Sequence, residues 1–193
     1  MDARFTRFAI AAGTVPLLLV GCGAPSPGSA EPERSASSDP VADCPSAAPA
    51  GVAKADVVFH GDAGRAQIVA PTPTTAPRVA ITTPFRVDRT QVLRVHGGHG
   101  PALADNAVVT VCYQGVNGRT GDVFDDSFVR STSAEFALTD VVPGFRKTVA
   151  GQQVGATVVS AVTGADAYPS GEAEAGIEPG DTLVFTVVVL SAS

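Results

Sequence analysis

The stretch AVVTVCYQG, residues 107–115, decides the class of fold. Val109, Val111 and Tyr113 recur at every second position, and so do Val108, Thr110 and Cys112. Successive side chains of a strand point to opposite faces, so this alternation reads as a β-strand with Tyr113 on one face and Cys112 on the other. Working outward, VNGRTGDVF (116–124) holds an Asn-Gly and a second Gly, which reads as a hairpin or tight loop. GATVVSAVTG (155–164) and DTLVFTVVVLS (181–191) are further strong strands. ADVVFHG (55–61), AQIVA (66–70) and RVAITTPFRV (78–87) are strand-like, and TQVLRVHGG (90–98) reads as a strand ending at a Gly turn. Pro71, Pro73, Pro77 and Pro84 confine the early strands to edges or short pieces, because proline has no N–H for a ladder. Only GFRKTVAG (144–151) looks helical, with Phe145 and Val149 four apart and Gly151 as its stop. The expected class is α+β, an antiparallel sheet with one short helix.

The N-terminus carries a different signal. Arg4 and Arg7 precede an apolar run from Phe8 to Val20. A spanning helix needs about 20 apolar residues, so the run fits the apolar part of a secretory signal instead. It ends in Leu19-Val20-Gly21-Cys22, which resembles the lipobox of bacterial lipoproteins. That resemblance implies cleavage before Cys22, a diacylglyceryl group on its sulfur, and a chain tethered to the outer face of the cell membrane. The alternative is an ordinary secretory signal with a cysteine nearby by chance. Residues 22–52 are dominated by Gly, Ala, Pro and Ser without an apolar period. Such composition buries too little surface to offset chain entropy, so a disordered tether is expected there. The expected organisation is a signal peptide at 1–21, the tether at 22–52, a strand-like extension at 53–77 and a single domain at 78–193.

Charge and cysteine content narrow the functions. The chain of 193 residues has a formal charge of -6. Loss of residues 1–21 removes Arg4, Arg7 and Asp2 and leaves 11 basic against 18 acidic residues. This argues against nucleic acid as a partner and against electrostatic attraction to anionic lipid. With Cys22 assigned to lipid, Cys44 and Cys112 are an even pair. An oxidising compartment allows them a disulfide; the alternative is two independent thiols. HGGHG (96–100) offers two histidines, with only His60 besides, in a Gly-rich frame that reads as a turn. Those are few ligands for zinc, so no metal is expected. No Gly-x-Ser-x-Gly elbow and no phosphate loop occur, and no cofactor is implied.

From residue 109 onward six pieces follow in order: VTVCYQG, VFDDSF, FALTDVVPGF, VAGQQVG, ADAYP and GIEPGDTLVFTVVVL. Together they resemble the FK506-binding-protein (FKBP) domains, the FKBP-type peptidyl-prolyl cis-trans isomerases. Residues 78–106 are similar to the first strand and following loop of such domains. The resemblance implies a twisted antiparallel sheet of five or six strands wrapped around one short helix, with a pocket between the two. It implies catalytic roles for Tyr113, Asp125, the backbone N–H of Val142 and the hydroxyl of Tyr168. Phe124, Phe136, Val141, Phe145, Ile177 and Phe185 match the apolar lining, and Arg130 matches an arginine that pairs with Asp125. Phe145 stands where the family usually has a tryptophan. Ala134, Ala173 and Gly176 replace larger residues, Pro169 replaces a Gly after the key Tyr, and Glu178 stands at a usual Pro. A shallower, more open site is the expectation, with weaker binding of FK506-like macrolides.

The chemistry suits such residues. The barrier to rotation about a peptide bond is about 18–20 kcal/mol and comes from amide resonance. Rotation removes the charge that resonance places on oxygen, so a dry apolar pocket favours the twisted form over the planar one. No nucleophile or metal is needed. The expected function is isomerisation of proline-containing exported polypeptides. The alternative is an FKBP-shaped binding module with little turnover that recruits a cell-surface partner.

Overall fold

The computed structural model describes residues 43–51 and 53–193. The signal sequence, Cys22 and most of the expected tether lie outside the described residues. In chain order the elements are β1 (Val57–His60), β2 (Ala63–Val69), β3 (Arg78–Arg86), β4 (Gln91–His96), β5 (Val108–Asn117), β6 (Val123–Asp126), β7 (Ala134–Ala137), α1 (Pro143–Val149), β8 (Thr157–Val162) and β9 (Leu183–Ala192). Two 3₁₀ turns, at Gly164–Asp166 and Ala173–Ala175, lie between β8 and β9.

The strands form two antiparallel sheets. The larger has the order β4-β8-β9-β5-β6, with β7 also paired to β5. β5 is its organising strand. One edge pairs along its whole length with β9, and Tyr113 stands opposite Val187. The other edge is shared by β7, opposite Val108–Val111, and β6, opposite Gln114–Val116. The smaller sheet has the order β1-β2-β3. It places Pro84 on an edge strand, where a missing N–H costs no ladder bond.

Both faces of the larger sheet are covered. On the inner face Val109, Val111, Tyr113, Phe145, Phe185 and Val187 build the main core. On the outer face Phe59, Ile68 and Phe85 of the smaller sheet pack against Val116, Val159 and Val184. Burying one such side chain contributes about 1.5–3 kcal/mol, which is why the Val-rich β8 and β9 sit at the centre. The alternation in β5 falls as the sequence implies, with Tyr113 in the inner core and Cys112 in a small outer cluster with Cys44 and Phe128.

Helix α1 starts on Pro143, whose fixed φ suits a first turn, and carries Arg146 and Lys147 toward its C-terminal end. Its first turn lies hard against β8. A Cβ on Gly144 would sit 2.0 Å from Val162 Cγ1, so only glycine lets the helix approach this closely.

Two boundaries differ from the sequence reading. β3 pairs with β2 over six positions and not with the larger sheet, so a division at 77/78 falls inside one sheet. Residues 53–77 are therefore part of the folded unit, with Phe59, Ala66 and Ile68 buried. The last stretch of the expected tether is also held. Cys44 forms a disulfide with Cys112. Ala47 accepts a hydrogen bond from the Ala76 N–H, and Arg78 donates to the Gly51 carbonyl. The composition of 43–51 buries little apolar surface; a covalent bond and backbone hydrogen bonds fix it instead. Closing a separation of 68 residues restricts the unfolded chain by about 4 kcal/mol in the chain-entropy account.

Candidate active site

The inner face of the sheet and α1 enclose a cavity of about 120 Å³. Its floor is the ring of Phe145, which is almost fully buried. Three rings meet Phe145 edge to face: Phe185 at 5.4 Å, Phe136 at 5.6 Å and Tyr113 at 6.0 Å between centroids. Phe124 packs edge-on against Phe185 at 5.8 Å. Such contacts are each worth about 0.5–1.5 kcal/mol beyond burial, so the box of rings holds its own shape. Phe124 reaches this position because its ring lies directly over Gly115 of β5, where an added Cβ would come within 2.4 Å of it. Val141, Val142, Asp125 and Tyr168 complete the lining.

The polar groups sit on opposite sides of the floor. On the β5–β6 side the Tyr113 hydroxyl donates to Asp125 Oδ2, and Arg130 Nη1 donates to Asp125 Oδ1 at 2.7 Å. Burial pushes the Tyr113 phenol well above its ordinary range, and the adjoining Asp125 carboxylate adds to the shift. Burial alone would raise Asp125, but the hydrogen bonds from Tyr113 and Arg130 outweigh it and hold this carboxyl below the usual value. Asp125 is thus ionised at neutral pH, with one oxygen on a phenol and the other on a guanidinium. On the α1 side, Val142 is the N-cap, and its carbonyl accepts from Phe145 and Arg146. The Val142 N–H has no protein acceptor among the described residues and borders the cavity. The Tyr168 hydroxyl likewise donates to no protein group among the described residues. Burial, then the charges of Glu172 and Asp125, raise its pKa, so it stays a neutral donor.

The structure thus gathers Tyr113, Phe124, Asp125, Phe136, Val141, Val142, Phe145, Tyr168 and Phe185 around one cavity. Two expected residues stand elsewhere. Ile177 is buried in the same core as Phe145 and Phe185 but does not line the cavity. Arg130 lies outside the lining; it pairs with Asp125 and also bears on the Tyr113 hydroxyl beside it. Ala134 packs against the core from β7, and Ala173 and Gly176 are exposed on the loop between β8 and β9.

One group was invisible to sequence reading. Asp181 is buried and accepts from Asn117 Nδ2 at 2.8 Å, from the Glu178 N–H at 2.9 Å and from Arg119 Nε at 3.0 Å. Arg119 and Asn117 also donate to the Gly176 carbonyl. This cluster fastens the loop beside the cavity to the β5–β6 turn. Arg119 and Asp181 are 62 residues apart, and no local pattern joins them. Only the Asn-Gly turn at 117 marks one of its members.

A cavity floored by an aromatic ring, walled by aromatic edges and rimmed by two donors without protein acceptors among the described residues and a partly exposed carboxylate suits an apolar ring next to a carbonyl. Comparison with known proteins agrees. The family model for FKBP-type peptidyl-prolyl cis-trans isomerase matches residues 100–190. The FK506-binding protein of Streptomyces anulatus is 36% identical over 91 residues, which span 46% of this chain and 73% of that one. A probable FK506-binding protein of Corynebacterium glutamicum is 31% identical over 96 residues, 49% of this chain and 80% of that one. The N-terminal domain of FKBP42 from Arabidopsis thaliana aligns with a TM-score of 0.51 over 55% of this chain and 87% of that one, at 18% identity, a likeness of fold. The chain belongs to the FKBP-type peptidyl-prolyl cis-trans isomerases.

Proposed function

We propose that this isomerase works outside the cytoplasm, anchored by lipid on Cys22, on proline-containing segments of exported and unfolded chains. The observation that carries the catalytic part is the pairing of the Phe145 floor with the free Val142 N–H at its edge. A prolyl ring seated on Phe145 brings the preceding carbonyl within the rim of donors. The Val142 N–H and the Tyr168 hydroxyl bind the carbonyl oxygens that flank the ring. Asp125, oriented by Tyr113 and Arg130, faces the carbonyl carbon of the rotating bond. As the bond twists, conjugation is lost and charge leaves the oxygen. The dry aromatic box disfavours the charge-separated planar form and accepts the twisted one.

The extracytoplasmic part is supported by the order of basic residues, apolar run, small residue and Cys22, and by the Cys44–Cys112 disulfide. Disulfides persist in oxidising compartments and are rare in the cytosol. The 22–42 segment then serves as the tether. FK506-like macrolides are proposed ligands of the same cavity. A second reading, a binding module with little turnover, is favoured by the small cavity and by the small Ala134 packed against the core beside it.

Exchange spectroscopy on a Xaa-Pro peptide separates the two. Acceleration that a macrolide abolishes supports the isomerase reading, and binding without acceleration supports the module. Metabolic lipid labelling tests the anchor, because Cys22→Ala should abolish it.

A further inference from the structure

We infer that Ser127 and the Cys44–Cys112 disulfide form one positioning brace for the Tyr113–Asp125 pair, so that isomerase activity follows the redox state of that disulfide. This rests on the assignment of Tyr113 and Asp125 to the active site.

The brace is a chain of direct contacts behind the pocket. The Ser127 hydroxyl accepts the Tyr113 N–H at 2.8 Å and lies 3.4 Å from Cys44 Sγ. A disulfide sulfur carries no proton, so the hydroxyl donates to the sulfur and its lone pair is left for the amide. Ser127 also donates its own N–H to the Tyr113 carbonyl at 2.9 Å. It therefore holds both backbone polar groups of Tyr113, and it stands two residues beyond Asp125. The disulfide ties Cys44 to Cys112, the residue just before Tyr113. Ser127 is fully buried, and both cysteines are nearly so. The two side chains that share the Tyr113–Asp125 hydrogen bond are thus fixed from the opposite face of the sheet. Catalysis depends on such placement, and a shift of about 1 Å is enough to lower a rate substantially.

With both cysteines nearly buried, a reductant reaches the disulfide only where the 43–51 segment gives way. On the outer face a groove of about 410 Å³ runs between Pro45, Pro71, Pro73 and His96, with Cys112 in its wall. A dithiol entering there attacks one sulfur as thiolate and forms a mixed disulfide. Its second thiol then displaces the protein sulfur. Two electrons and two protons pass to Cys44 and Cys112, which become thiols, and the reagent leaves as its own disulfide. Segment 43–51 then loses its covalent hold. A Cys44 thiol also competes as a donor for the Ser127 oxygen.

The test compares the full chain oxidised, the full chain in dithiothreitol, and the variants Ser127→Ala and Ser127→Thr with the disulfide intact. Three quantities are read: kcat and KM on a Xaa-Pro peptide, the thermal midpoint, and the NMR signal of the Tyr113 phenol carbon. Reduction and Ser127→Ala are each expected to lower kcat about tenfold, with KM little changed and the Tyr113 signal displaced; tenfold corresponds to about 1.4 kcal/mol of barrier. Ser127→Thr should restore most of the rate. A lower thermal midpoint with kcat and the Tyr113 signal unchanged would overturn the brace. If the reduced chain does not stay folded, Ser127→Ala decides by the same readouts. Asp125→Asn separates the two levels. Full activity there removes the site assignment; loss there with full activity in reduced protein and Ser127→Ala removes the brace alone.

Discussion

Arg119 and Asp181 meet through Nε and both carboxylate oxygens, at 3.0 and 3.1 Å, and together they tie the loop beside the cavity to the β5–β6 turn. Burial by itself would raise the Asp181 carboxyl. The Glu178 N–H, the Asn117 amide and the Arg119 guanidinium outweigh it and hold its pKa below the usual value. A depressed folded-state pKa gives stability that is present above the unfolded value, about 3.9, and is lost as pH falls through the folded value. Thermal melts should show a midpoint that drops below about pH 4, and Asp181→Ala should lower stability by about 2 kcal/mol at neutral pH by stranding those donors. A flat profile through that window would show that the loop anchor is not coupled to folding.

The two tyrosines make a clean alkaline prediction. Tyr113 and Tyr168 are the only tyrosines in the chain, and burial raises both. Phenolate absorbance of the native protein should therefore stay low through pH 10 and appear at the ordinary value, about 10, only in denaturant. The sign is opposite to that of Asp181. A raised folded-state pKa gives stability that is full below the unfolded value and is lost as pH climbs through the folded one.

Asp125→Val removes the charge but not the aromatic box. It should lower kcat/KM about tenfold or more while the melting temperature changes little, since the carboxylate is partly exposed. Phe145→Leu keeps the core apolar and takes away the flat floor. Peptide exchange and macrolide titration should both weaken, at a stability cost of about 1.5 kcal/mol. Wild-type activity in both variants would remove the cavity as the catalytic site.

Gly115→Ala tests the wall from behind. The new Cβ meets the Phe124 ring, so that ring must swing away from Phe185. Macrolide binding should fall more than stability does, and calorimetry with a folded variant reads the difference.

How far the sequence revealed this molecule depends on the range of each interaction. β5, β8 and β9 were legible because their Val-rich patterns are local and β5 alternates faces. α1 was legible from Phe145 and Val149 at one-turn spacing. β6 and β7, four residues each, carry too few positions for a period and exist because β5 offers them an edge. The aromatic residues around the cavity are legible only through the order of six short pieces, each weak alone. The Asn117–Arg119–Asp181 cluster leaves no local mark, because it joins a turn to a loop far along the chain. The composition of residues 43–51 points to a tether, and what holds them is a bond that composition does not encode.

That bond has a mechanical side. The covalent ring from Cys44 to Cys112 encloses β1 through β4. Tension applied to the chain ahead of Cys44 passes through sulfur into β5 and leaves the smaller sheet slack. The strand that receives the pull is clamped by β9 on one edge and by β6 and β7 on the other. A domain held from its N-terminal side is thus gripped at the strand that carries Tyr113, from the face opposite the cavity.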